Sequence, residues 1–168
     1  MTYTVMTVCT GNICRSPMAQ IMLQDAFNKA KLKDVKVIST GVSDEEAGNP
    51  IDERAVRTLT AHGFKPKQKH QARMVTDADL AQADLVLPMT TYHARALRKL
   101  ATSTETEPNV RMLRSFDPNA PKVPDAGDEY LLDVEDPWYG DQAKFEECFV
   151  QLQDAIPGIV EYVREQIS

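Results

Sequence analysis

Apolar and polar positions along the chain fall into two alternating rhythms. Residues 4–8 (TVMTV) are short and β-prone, which predicts a strand. After a polar loop, Met18, Ile21 and Met22 recur at helical spacing behind Pro17, a residue suited to a first helical turn, so residues 17–30 are read as a helix. Residues 35–40 (VKVIST) predict a second strand, and residues 41–50 a loop punctuated by Gly48-Asn49-Pro50. Ala55, Val56 and Leu59 share one face of a helix expected over 51–62, with Gly63 as its stop. Residues 84–89 (DLVLPM) predict a third strand, 91–100 a helix and 110–116 (VRMLRSF) a fourth strand. A proline-rich loop is expected over 117–140. From Asp141 onward, Phe145, Phe149, Leu152, Ile156, Ile159 and Val163 keep the 3.6-residue period, and Pro157 is expected to kink or split that helix.

Strands alternating with helices imply an α/β fold. The expected architecture is a single-domain three-layer sandwich over residues 1–168, with a four-stranded parallel sheet and helices on both faces. Ligands of such sheets bind beyond the carboxyl ends of the strands. The first strand runs straight into VCTGNICRSP, residues 8–17, so that decapeptide occupies the favoured place.

Composition narrows what the loop can do. The 168 residues carry a net charge of −6, which disfavours non-specific binding to nucleic acid or an anionic membrane surface. The three cysteines are too few, and odd in number, for a disulfide-stapled secreted domain. The opening MTYTVMTVCTGN lacks the basic segment and apolar run of a signal peptide, and no apolar run approaches a membrane span. A cytoplasmic protein with free thiols, not inserted in a membrane, is expected.

Within the loop, Gly11 permits a tight path on which successive amides converge, and the helix that follows adds its positive end. Arg15 contributes a planar fork of donors suited to a tetrahedral oxyanion. The same surroundings favour a thiolate over a thiol, which makes Cys9 a candidate nucleophile beneath a bound phosphate. Asn12 tolerates positive φ and carries an amide that could brace the loop. Zinc would need further ligands at recognisable spacing, and a redox pair would need two intervening residues where Cys9 and Cys14 have four. The plain alternative is two buried cysteines acting as small hydrophobes.

VCTGNICRSP resembles the signature of the low-molecular-weight protein tyrosine phosphatases, a C-x5-R-S loop close to the N-terminus. The likeness continues in the family's order through Ser39-Thr40-Gly41, residues 48–55 (GNPIDERA), His62-Gly63, Ala72-Arg73 and residues 136–140 (DPWYG). It implies phosphotyrosine hydrolysis through a phosphocysteine intermediate. Cys9, Arg15 and Asp136 are then the catalytic residues. Thr10, Gly11, Asn12, Ile13, Cys14, Arg15 and Ser16 form the phosphate-binding loop, with Ser39, Trp138 and Tyr139 in support. Asp136 would protonate the leaving phenolate and then activate water. Proline after it favours an extended conformation, and Trp138 and Tyr139 can exclude water and stack on a flat ring. Ser16 could hydrogen-bond the Cys9 sulfur, or simply cap the helix. Ser39 would brace Asn12. The resemblance also implies that Cys14 can form a reversible disulfide with Cys9 that guards it from over-oxidation. Asp117, the other aspartate before a proline, is read as a turn residue, His62 and His70 as structural, and Cys148 as core. No cofactor or metal is called for. The expected partners are a tyrosine-phosphorylated protein and phosphate ion, and the expected state is a monomer or weak homo-oligomer.

The sequence departs from the family pattern at Glu45, where an aromatic residue is usual, and at Thr90, where an aspartate usually follows the methionine of the third strand. Two extra residues separate His62-Gly63 from His70, and the loop over 117–135 is longer than usual, which predicts a more mobile Asp136. Three other readings compete with this one. Arsenate reductases of this fold need two further cysteines after the third strand, and residues 70–110 contain none. Protein-arginine phosphatases carry a threonine at the position of Ile13. A non-catalytic phosphate-binding or redox-sensing module would lack a proton donor, whereas Asp136 is intact.

Overall fold

A computed structural model describes residues 1–66, 69–123 and 126–168. Three parallel strands form the sheet in the order β2-β1-β3: β1 (Tyr3–Cys9), β2 (Val35–Gly41) and β3 (Leu85–Pro88). Helix α1 (Arg15–Lys29) connects β1 to β2. Helices α2 (Glu53–Ala61) and α3 (Asp77–Gln82) lie between β2 and β3, and α4 (Thr91–Ser103) and α5 (Gln142–Ile167) follow.

Side chains alternate across the sheet as the pleat requires. Val5, Val35, Val37, Leu85 and Leu87 face the larger core, packed with Met18, Met22, Leu23 and Phe27 of α1, Leu59 of α2 and Phe145, Phe149 and Leu152 of α5. Met6, Val8 and Val86 face a second core closed by Leu80 of α3 and Leu97 of α4. Each large side chain taken fully from water contributes about 1.5–3 kcal/mol. The chain passes from β1 to β2 on one side and returns to β3 on the other, so the strand order reverses beside β1. Its carboxyl end is the crevice where such sheets bind ligands.

The expected fourth strand is not formed. Val110 makes only an isolated bridge to Val86, using the bonds Val86 N–H to Asn109 O (2.8 Å) and Arg111 N–H to Val86 O (3.0 Å). The next residue of β3 facing that way is Pro88, which has no N–H to offer, so the ladder stops. The chain turns instead into a 3-10 helix, Leu113–Phe116, closed by the Ser115 hydroxyl donating to Met112 O. Among the described residues the sheet therefore has three strands where four were expected.

Pro157 does not split α5. It sits on the exposed side, while Leu152, Ala155, Ile159 and Val163 are buried on either side of it. Helix α3 was not anticipated, although Thr76 and Asp79 form a capping box that spells T-x-x-D in the sequence. The expected loop over 117–140 contains two 3-10 helices, Ala126–Leu132 and Pro137–Tyr139, and its residues 124 and 125 lie outside the described residues.

Candidate active site

Helices α2, α3, α4 and α5 each have a side chain capping their first turn: Asp52, Thr76, Thr90 and Asp141. Helix α1 has none. Its first-turn amides are left to the loop over residues 10–14, which joins it to the end of β1, and an anion held there would supply the missing cap. The loop is held open from beneath. Asn12 takes φ = 61°. Its side-chain amide donates to Ser16 Oγ (2.9 Å) and Ser39 Oγ (3.0 Å), its Oδ1 accepts from Arg73 N (3.0 Å), and its carbonyl accepts from His70 Nε2 (2.7 Å). Ser39 donates onward to Gln20 Oε1 at 2.7 Å. Gly41 is required at the end of β2, because a Cβ there would lie 2.4 Å from Thr10 O.

Cys9 Sγ lies at the base of the loop, 3.0 Å from Ser16 Oγ, which also lies 3.1 Å from Thr40 O. The Arg15 guanidinium is buried; Nη1 donates to Val134 O (3.0 Å), and Nη2 lies 3.5 Å from Asp136 Oδ2. Asp136 Oδ1 accepts from Trp138 N (3.0 Å), which fixes one oxygen of the carboxylate and leaves the other toward Arg15. A cleft of about 150 Å³ is lined by Cys9, Thr10, Gly11, Ile13, Cys14, Arg15, Asp136, Trp138 and Tyr139, with Glu45 and Glu46 on its rim. Trp138 and Tyr139 are 41% and 89% exposed, so the aromatic wall projects into solvent.

The loop that carries Asp136 is clamped on both sides. Upstream, Val134 N donates to Met89 O (2.8 Å), the Asp133 carboxylate accepts from Thr91 N (2.8 Å), and Arg114 Nη1 reaches the carbonyls of Leu131 and Asp133. Downstream, Arg54 Nη1 donates to the carbonyls of Trp138 and Gly140, both at 3.0 Å. Arg54 is itself aligned by Asp52 and lies over the rings of Trp138 and Phe145. A long loop was expected to leave Asp136 mobile; these contacts fix the chain two residues to either side of it.

Every residue singled out in the loop, together with Ser39, Asp136, Trp138 and Tyr139, is thus brought to one end of the sheet. Asp117 is apart from it, its carboxylate accepting from Asn119 N in a turn. His62 stacks on Phe149 and pairs with Glu146, joining α2 to α5. His70 reaches the loop through a hydrogen bond to the Asn12 carbonyl. Cys14 and Cys148 are buried; burial and then the nearby Cys9 push the Cys14 thiol far up, and burial pushes Cys148 up to about 12. Arg54 and His93 carry roles that sequence reasoning missed. Arg54 lies inside a segment already read as a family motif, with no signal of which loop it holds. His93 had one, lying three residues after Thr90 at the start of a helix, where a capping box places its reciprocal partner.

The model of the family "Low molecular weight phosphotyrosine protein phosphatase" matches residues 4–168. A "Low molecular weight protein-tyrosine phosphatase A" of Mycobacterium tuberculosis is 43% identical over 162 residues, spanning 96% of this chain and 91% of that one. Among solved structures, YfkJ from Bacillus subtilis superposes with a TM-score of 0.86 at 26% identity, covering 100% of this chain and 98% of the other. A Drosophila arginine phosphatase superposes with a TM-score of 0.81 at 26% identity, over 95% and 96% of the two chains.

Proposed function

The chain belongs to the low molecular weight phosphotyrosine protein phosphatase family, a group of phosphoric monoester hydrolases, and from that premise we propose how its residues divide the reaction. Cys9 attacks phosphorus as the thiolate, opposite the departing phenolate oxygen. Arg15 and the amides of residues 10–15 hold the equatorial oxygens, whose charge they are arranged to meet. Asp136 gives its proton to the phenolate as the P–O bond breaks. The same carboxylate then takes a proton from water, which attacks the phosphocysteine and releases phosphate and thiolate. Ser16 stabilises sulfur in that second step through its 3.0 Å contact with Cys9.

The observation that carries this reading is the convergence of Cys9, Arg15 and Asp136, from β1, α1 and a distant loop, on one cleft walled by Trp138 and Tyr139. The apolar Ile13 in the same lining favours an aryl ester over a guanidinium phosphate. Glu45 and Glu46 on the rim favour phosphopeptides flanked by basic residues over acidic ones. We read the protein as a cytoplasmic monomer or weak homo-oligomer; no described helix is long and apolar enough to cross a membrane.

The test measures phosphate release from phosphotyrosine peptides, lysine-flanked and glutamate-flanked, and from phosphoarginine, with wild type, Cys9→Ser and Asp136→Ala. Cys9→Ser should be inactive, Asp136→Ala should fall most on poor leaving groups, and lysine-flanked phosphotyrosine should be hydrolysed best. Turnover surviving in Cys9→Ser, or phosphoarginine outrunning phosphotyrosine, would overturn the assignment.

A further inference from the structure

Of the side chains packed against the loop from outside, His93 makes the most informative contact. It is 1% exposed, in the first turn of α4. Its Nε2 lies 2.8 Å from Thr10 Oγ1, while its Nδ1 lies 3.1 Å from the Thr90 backbone nitrogen and 3.0 Å from the Thr90 hydroxyl. A backbone amide can only donate, so Nδ1 is an acceptor and carries no hydrogen. Burial, and then the charge of Arg15, depress the ring's pKa to about 3, so the imidazole is neutral. A neutral imidazole bare at Nδ1 holds its hydrogen at Nε2. His93 therefore donates to Thr10.

Thr10 Oγ1 also lies 3.4 Å from Arg15 Nη2, a group that likewise only donates. Two donors thus occupy the accepting side of one hydroxyl. Its own hydrogen can point at neither, and no acceptor for it lies within hydrogen-bond reach among the described residues. Thr10 lines the cleft beside Cys9 and Arg15. We propose that the Thr10 hydroxyl is a further donor to the bound phosphoryl group, turned into the cleft by the buried His93, which acts as a positioning residue. The inference rests on the loop being the phosphate site, and it adds a side-chain contact to the amides and Arg15. Thr90, which departs from the usual aspartate, fits the arrangement, since its amide and hydroxyl hold the ring that aims Thr10. The ring must stay neutral, because protonation would cost the Nδ1 acceptor and set a second cation against Arg15.

The test measures inhibition by inorganic phosphate, and kcat and KM on p-nitrophenyl phosphate, for wild type, Thr10→Val, Thr10→Ser, His93→Asn and the Thr10→Val/His93→Asn double variant. A hydrogen bond to a charged oxygen is worth on the order of tenfold in binding. Thr10→Val should raise the phosphate inhibition constant by about that factor, and Thr10→Ser should restore it. In His93→Asn the shorter amide can still accept from Thr90 and cap α4, but it no longer reaches Thr10. Phosphate should bind more weakly in that variant, and the change should add nothing in the Thr10→Val background. Wild-type phosphate affinity in Thr10→Val, or a His93→Asn effect equally large in both backgrounds, would overturn the proposal. The Thr10→Val and Thr10→Ser comparison decides even if His93→Asn fails to fold. A wild-type enzyme insensitive to phosphate would instead overturn the loop assignment, and this inference with it.

Discussion

Arg54→Lys isolates the clamp on the acid-bearing loop. The guanidinium makes two 3.0 Å hydrogen bonds, to the carbonyls of Trp138 and Gly140. Its Nε and Nη2 meanwhile engage Asp52 at 3.1 and 3.0 Å, and its plane lies over Trp138 and Phe145. A lysine ammonium keeps the charge but has no planar fork, so it can hold Asp52 or the loop, not both. Hydrogen bonds from a charged donor are worth about 1.5–3 kcal/mol each when fully formed. The Arg54 side chain is one-quarter exposed, so the pair is better taken as about 1.5–3 kcal/mol together. That is roughly a tenfold or greater shift in how often Asp136 is held near Arg15. Proton donation matters most when the departing oxygen is basic, so kcat/KM on phenyl phosphate should fall by about tenfold, with a much smaller change on p-nitrophenyl phosphate. The melting temperature should drop by roughly 2–4 °C for each kcal/mol lost. An equal fall on both esters, or none on either, would refute the reasoning, because the clamp would then not act through the acid.

Gly41→Ala should leave a folded protein with little turnover, since the added Cβ would sit 2.4 Å from Thr10 O and 3.1 Å from Asn12 N; phosphatase activity beside a circular dichroism spectrum checks this, and near-normal activity would contradict the account of the loop. With peroxide, Cys9 and Cys14 should form a disulfide, seen as a loss of two hydrogens reversed by dithiol. Because burial raises the Cys14 pKa, little thiolate exists near neutrality, so the closing step should quicken with each pH unit through the alkaline range; a plateau below the ordinary thiol range, or sulfinic acid on Cys9 with Cys14 untouched, would count against it. His93 is neutral when folded down to about pH 3 but takes a proton when unfolded below 6.5, so its contribution is complete above 6.5 and is lost on acidification. Asp52 and Asp79, whose pKa values are lowered, lose theirs only below 3.8. Urea titrations between pH 6.5 and 4 should therefore show a slope about 1.4 kcal/mol per pH unit steeper in wild type than in His93→Asn, and equal slopes would refute the assignment of a neutral ring.

Much of the site was legible because its chemistry is local. The distance from Cys9 to Arg15, Gly11 between them and a helix starting at once define an anion cradle within ten residues. The helical periods of α2 and α5 were equally plain, since each buries one face, and β1 and β2 were marked by short β-prone runs. What failed depended on neighbours. Residues 110–116 have strand composition, but whether they pair is decided by Pro88 on another strand. Pro157 looked disruptive because the sequence does not say which side of the helix meets water. The roles of Arg54 and His93 need contacts across 84 and 83 residues, to Trp138 and Thr10, that no local pattern encodes. Composition alone could not distinguish Asp136 among 25 acidic residues; the proline and the two aromatics that follow it, together with the family resemblance, single it out.

The hydroxyl of Ser16 has a single hydrogen and two rival acceptors, the Cys9 sulfur at 3.0 Å and the Thr40 carbonyl at 3.1 Å, while the Asn12 amide fills one of its lone pairs. Through the proposed cycle the sulfur alternates between an anion and a neutral phosphothioester, a strong acceptor and then a poor one. The hydrogen should swing toward sulfur, away to the carbonyl, and back, by torsion about one C–O bond with no heavy atom displaced. That swing would carry the state of the Cys9 sulfur to the 40–41 peptide plane. On the proposed cycle, the Gly41 amide resonance should then differ between resting enzyme and covalent intermediate without any label on the substrate.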